Sequence, residues 1–143
     1  MFQKIIQTDL SKTTIIIRFM VGVIFVSEGI QKILYAEKLG TGRFVKIGLP
    51  YPDFLGNAVG SIEIICGALL IIGLLTRLAA IPLLLIMVVA IATTKVQLLA
   101  DHGFWSMLHD SRTDWSMFLG NTFLIINGGG KWSLDKKINQ SSK

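Results

Sequence analysis

Four ionic side chains, Arg18, Glu28, Lys32 and Glu63, sit inside the apolar runs of this chain. A charge at the centre of a helix in hydrocarbon costs about 3 kcal/mol or more, so it persists only where it faces protein, a partner charge or a wet cavity. Bilayer-length runs that carry such charges describe a membrane bundle with a polar interior. They do not by themselves name a reaction.

Composition agrees. Of 143 residues 52% are hydrophobic and the mean hydropathy is +0.62, too apolar for an ordinary soluble domain. The length allows one domain. A spanning helix takes about 20 residues, so four spans and their loops use nearly all of it. The net charge of +5 suggests nucleic acid at first sight, but the basic residues lie at run ends and in both tails. That placement suits anionic lipid and membrane topology, and no nucleic-acid partner is expected. Cys66 is the only cysteine, so dithiol exchange within this chain is excluded, and Cys66 reads as a small core residue. Lys4 and Lys12 give a basic start, but the run from Thr13 to Leu34 is long, holds Arg18 and lacks a small-residue exit. It reads as a retained span rather than a cleaved leader.

The expected fold is all-α: a transmembrane four-helix bundle over residues 12–137, with short tails at 1–11 and 138–143. Backbone groups in lipid must be satisfied within their own segment, which makes helix the default. The spans read as Thr14 to Leu34, Phe54 to Leu75, Leu78 to Ala100 and Thr113 to Gly129, the last being short and polar at both ends. Pro52 and Asp53 read as a preset φ and an N-cap for the second span, and Pro82 as a proline in the first turns of the third. Only Thr76 and Arg77 separate spans two and three. The linkers Tyr35 to Asp53 and Asp101 to Arg112 fall on one side, mix apolar and charged residues, and are expected to lie at the interface and cap the bundle. The tail Asn139 to Lys143 reads as disordered. Lys4, Lys12, Arg77, Lys131, Lys136, Lys137 and Lys143 on the side of the termini outweigh Lys38, Arg43, Lys46 and Arg112 on the other, so both termini are expected in the cytoplasm.

Arg18, Gly22, Phe25, Gly29 and Lys32 recur at helical spacing and share one stripe. Gly56, Gly60, Glu63 and Gly67 repeat that spacing in the second span, a small-residue groove holding one carboxylate. Packed against each other in antiparallel sense, these faces put Glu28, Lys32 and Glu63 in the half away from the termini. Lys95, late in span three, and Asp114, opening span four, reach the same level. Arg18 is left at the opposite end, where the carbonyls of the Gly128–Gly130 turn are its natural partners. The alternatives are plain: Arg18 as a register-fixing tie, Lys32 and Lys95 snorkelling outward, Glu63 as a proton or ligand site. His102 and His109 stand seven apart without an HxxxH or cysteine partner, so no metal site is expected. No phosphate loop, Ser-His-Asp order or HExxH motif is present.

The set Arg18-Gly22-Phe25-Gly29-Lys32 resembles the first span of DoxX-family membrane proteins, as does Gly48-Leu49-Pro50 after it. Glu63-xxx-Gly67 followed by Leu69-Leu70, Gly73 and Leu74 to Ala80 resembles the family's second span and hairpin. Met87 and Ala90 fit its third, and Gly128 to Asp135 resembles its glycine-rich, Ser-Leu-Asp ending. The resemblance implies a multi-pass protein of the bacterial inner membrane. A related branch forms a subunit of a thiosulfate:quinone oxidoreductase, and other members are linked to thiol and oxidative stress with partner enzymes. Three functions follow as expectations. The chain is a membrane subunit that docks a redox partner protein and handles quinone; or a small-molecule or proton carrier, which needs a homodimer to enclose enough volume; or a structural scaffold. No cofactor motif is evident, and quinone is the candidate ligand.

Overall fold

The computed structural model describes residues 6–141, and these are helical without a strand. Lys4 and Lys143 of the charge count, and the last two residues of the tail, lie outside that range. Helix α1 runs Thr14–Leu34, α2 Thr41–Lys46, α3 Pro52–Ile72 and α4 Thr76–Ala90. A π-helical turn, Ile91–Lys95, leads into α5, Val96–Asp110; α6 is Arg112–Asn127 and α7 Leu134–Ser141.

Helix α1 buries Thr14, Arg18, Val21, Gly22, Phe25 and Gly29, a single helical stripe, and presents it to α3. Helix α3 answers with Gly56, Gly60, Glu63, Gly67 and Leu70. A methyl group added at Gly22 would lie 2.8 Å from the Gly67 carbonyl oxygen, and one at Gly67 2.8 Å from that of Gly22. The two backbones therefore touch, which only glycine allows. In lipid the hydrophobic drive between helices is absent, so such close packing is what holds α1 to α3. Helix α4 packs against α3 and α6, and α6 reaches back to α1. Val21, Phe25, Leu70, Ala80, Leu83, Met117 and Leu124 fill the space between them.

Three stretches have the length and composition to cross a bilayer: Thr14–Leu34, Pro52–Ile72 and Thr76–Asp110. Helix α6 spans 16 residues with Arg112 and Asp114 in its first turn, short of the usual length of about 20. The hairpin between α3 and α4 is Gly73 to Leu75 rather than Thr76 and Arg77. Gly73, at φ 72°, ends α3 in the left-handed conformation that glycine adopts without strain. Pro82 consequently lies in the second turn of α4, inside the helix. Asp53 is not the N-cap of α3: Tyr51 holds that place, Pro52 opens the helix, and Asp53 stands in its first turn, where the positive end of the dipole favours a carboxylate.

The two expected linkers differ. Residues 35–51 form a connection folded around α2, which rests on α3. Asp101 to Asp110 is not a loop: the helix of span three continues through the π-helical turn and breaks only at Gly103 (φ 78°, ψ 173°), a conformation open essentially to glycine. Helix α5 buries none of its residues, so it does not cap the helices below it. The tail is also helical to Ser141, because Asp135 and Ser133 anchor the start of α7.

Candidate functional site

The close approach of α1 and α3 decides where the charges meet. A methyl group at Gly29 would lie 3.0 Å from the Glu63 Cβ, so nothing stands between α1 and the Glu63 side chain. Lys32, one turn on from Gly29, donates to Glu63 Oε1 at 2.9 Å and Oε2 at 2.7 Å. The Glu63 side chain is 3% exposed and that of Lys32 12%. Glu28, one turn before Lys32, leans on the same ammonium at 3.7 Å and is 48% exposed. Removing two charges from a polar medium costs several kcal/mol per ion, and only tight, fully used geometry recovers it. Glu63 has that geometry, since Lys32 engages both its oxygens.

A second pair stands on the α4–α5 junction and α6. Lys95, at the end of the π-helical turn, lies 3.0 Å from Asp114 Oδ2 and donates to the Asp110 carbonyl at 3.0 Å. Thr93 and Thr94 spend their hydroxyls on the Val89 and Ala90 carbonyls four residues back.

Between the pairs lies a cavity of about 550 Å³. Its walls are mostly aliphatic, including Ile24, Val59, Ile86 and Met117, and Arg43 and Phe44 of α2, with Ile47 just after it, form its roof. This volume falls in the usual range for small-molecule sites, and so does the mixture of apolar wall and few polar groups. Glu28, Lys32, Glu63, Lys95 and Asp114 all line it. The two pairs are separate networks rather than one cluster.

Arg18 lies elsewhere. It is 2% exposed at the other end of α1, and its Nη1 and Nη2 donate to the Gly129 carbonyl at 2.6 Å and the Trp132 carbonyl at 2.8 Å. Beside it the Asp135 carboxylate accepts from the amides of Leu75 at 2.7 Å and Thr76 at 2.9 Å, and the Asp135 amide donates to the Gly73 carbonyl at 2.9 Å. Ser133 Oγ donates to the Gly130 carbonyl at 2.7 Å. The segment after α6 thus clasps the α3–α4 hairpin around Arg18. His109 Nε2 lies 2.6 Å from Arg112 Nη1 and is outside the cavity lining, as is His102.

Two residues of these sites stand out in the structure and not in the sequence. Arg43 reads there as a loop charge, because a six-residue helix in a linker carries no periodic signal. Asp135 reads as part of a closing motif; its position just after Ser133, at the start of a helix, is the available sign of a capping role.

A model of the DoxX family matches residues 13–96. This chain belongs to the DoxX family. It is 48% identical over 134 residues to the uncharacterized membrane protein Rv3486 of Mycobacterium tuberculosis, covering 90% of this chain and 82% of that one. It is 28% identical over 131 residues to a Bacillus subtilis protein titled "Putative oxidoreductase CatD", covering 91% of this chain and 90% of the relative. No solved structure gives a significant match. The resemblance carried by the glycine and charge spacing is therefore borne out, and this DoxX protein is a multi-pass protein of the bacterial inner membrane in contact with lipid. The matched stretch contains Arg18, Glu28, Lys32, Glu63 and Lys95 and ends before Asp114 and the 128–135 clasp.

Proposed function

We propose that this DoxX protein is a membrane subunit, or a docking protein for a redox partner, whose cavity receives a quinone. The observation that carries the reading is the cavity itself: about 550 Å³, mostly apolar, with a buried carboxylate held by Lys32 at its wall. The name of the Bacillus relative supports a redox connection. A quinone, when bound, supplies the electron-accepting chemistry. The chain supplies an apolar slot, hydrogen-bond donors on Lys32 and Arg43, and a carboxylate on Glu63 able to hold a proton. In this reading residues 12–137 form one unit, α6 crosses with the three longer helices as a transmembrane four-helix bundle, both termini are cytoplasmic and the cavity lies in the outer leaflet. The excess of lysine and arginine near the termini supports that orientation.

A carrier needs a path to both faces. The clasp around Arg18 fills the end opposite the cavity, which favours a binding pocket over a conduit. The test is gentle purification followed by extraction and identification of bound lipophiles, together with quinol turnover by a co-purified partner. Retained quinone that is lost in Glu63→Gln is the expected result. Quinone content no higher than that of an unrelated membrane protein, with unchanged partner turnover, defeats the proposal.

A further inference from the structure

The six ionic side chains lining the cavity are not equally committed. Glu63 is engaged by Lys32 at 2.7 Å and Asp114 by Lys95 at 3.0 Å, and Glu28 leans on Lys32 at 3.7 Å. Arg43 has neither an ion pair nor a side-chain hydrogen bond among the described residues, although it faces a largely apolar chamber. It is not adrift. Its helix α2 is seated on α3 at Gly56, where an added methyl group would lie 2.8 Å from the Thr41 amide. The backbone that carries Arg43 is thus fixed beside the cavity, and the guanidinium lines it with its donors uncommitted among the described residues. Arginine is the side chain whose flat fork of donors matches the two oxygens of a carboxylate or phosphate.

The cavity also has a greasy mouth. Leu85 and Val89 line it and are nonetheless 60% and 48% exposed, so the same side chains face the chamber and the surrounding acyl chains. A ligand entering there comes from the bilayer.

We infer that the cavity takes a lipid-soluble anion: an apolar tail that leaves between Leu85 and Val89, and a carboxylate- or phosphate-type head that Arg43 grips under the roof. The inference rests on the reading of this cavity as a ligand site and goes beyond quinone to a second class of occupant. Arg43 is its specificity residue.

The experiment uses the full chain in dodecyl maltoside with radiolabelled oleate in equilibrium dialysis, competed by oleyl alcohol and by acetate. Quinone retention is measured on the same preparation. Oleate is expected to bind and oleyl alcohol to compete at least about 10-fold less well, the difference made by hydrogen bonds to a charged group. Acetate is expected not to compete. Arg43→Gln should weaken oleate roughly 10-fold and leave oleyl alcohol unchanged, while Arg43→Lys keeps part of the preference. Because Arg43 makes no ion pair or side-chain hydrogen bond among the described residues and reaches Glu63 only through its field, the fold should survive both. Equal competition by the alcohol, or unchanged oleate affinity in Arg43→Gln, overturns the inference. Competition by acetate as strong as that by oleate also overturns it, because the site then reads a small free anion without the tail. Quinone retained without oleate selectivity sinks this inference alone, and oleate selectivity without quinone sinks the quinone reading alone.

Discussion

The Arg18 end and the Glu63 end hold buried charge by opposite means. At the first, the guanidinium is met by the Gly129 and Trp132 carbonyls, groups that never change charge, and the surrounding space is filled by the clasp of residues 128–135. At the second, the ammonium of Lys32 is met by a carboxylate that can gain or lose a proton, and the space beside it is left open. At the Arg18 end even the one carboxylate, Asp135, is spent on two backbone amides in filled space; at the Glu63 end the carboxylate stands beside a void. The comparison is the ground on which the Arg18 end is read as a tie and the Glu63 end is proposed as a ligand site.

The sharpest way to break it is at Asp135. Asp135→Ala leaves two hairpin amides and Arg18 without their carboxylate neighbour, and should lower stability by about 3–5 kcal/mol. Thermal unfolding in detergent measures this, and a loss under about 1 kcal/mol means the clasp is not what holds that end. Next is Glu63→Gln, which leaves the partly buried Lys32 a neutral amide and only the looser Glu28 carboxylate at 3.7 Å, and should cost about 3 kcal/mol. The double variant Lys32→Met/Glu63→Met should recover most of that stability while abolishing ligand retention. If the double variant still retains ligand, the pair is a tie like Arg18 and the contrast between the ends fails. Gly29→Ala drives a methyl group into the Gly60 carbonyl and the Ile64 and Glu63 side chains, and should cost about 1–3 kcal/mol by overpacking, read from the same unfolding curves. Smallest is Lys95→Met: its pair with Asp114 is partly exposed, at 15% and 21%, so a change of about 1 kcal/mol or less is expected, with any larger effect appearing in ligand binding.

Much of the α1–α3 seam is legible in the amino-acid sequence. The Arg18-Gly22-Phe25-Gly29-Lys32 spacing marks a face, and α1 runs Thr14–Leu34 as its apolar run does, because a helix in lipid cannot end without losing backbone hydrogen bonds. The paired stripes of Gly22 and Gly29 with Gly60 and Gly67 place Glu63 beside Lys32 by geometry alone. What the sequence hides lies where periodicity is absent. The Asp101–Asp110 stretch mixes charge and aromatic residues without a face buried in protein, so its helix leaves no stripe to find. The hairpin falls at Gly73 because the helix breaks at that left-handed glycine rather than at the polar Thr76. Arg43 reaches the cavity only through the path of a folded linker, which no local pattern encodes.

The π-helical turn at Ile91–Lys95 has a consequence for relatives of this chain. Such a turn accommodates one residue more than an α-helical turn, and one residue corresponds to about 100° of rotation. Everything downstream is therefore dialled round relative to α4. A homologue shortened by one residue in this stretch would point the counterpart of Lys95 about a quarter-turn away from Asp114, and its chamber would close with a different set of charges. If the chamber is the proposed ligand site, insertions and deletions here retune its choice with no change to any residue of the α1–α3 seam.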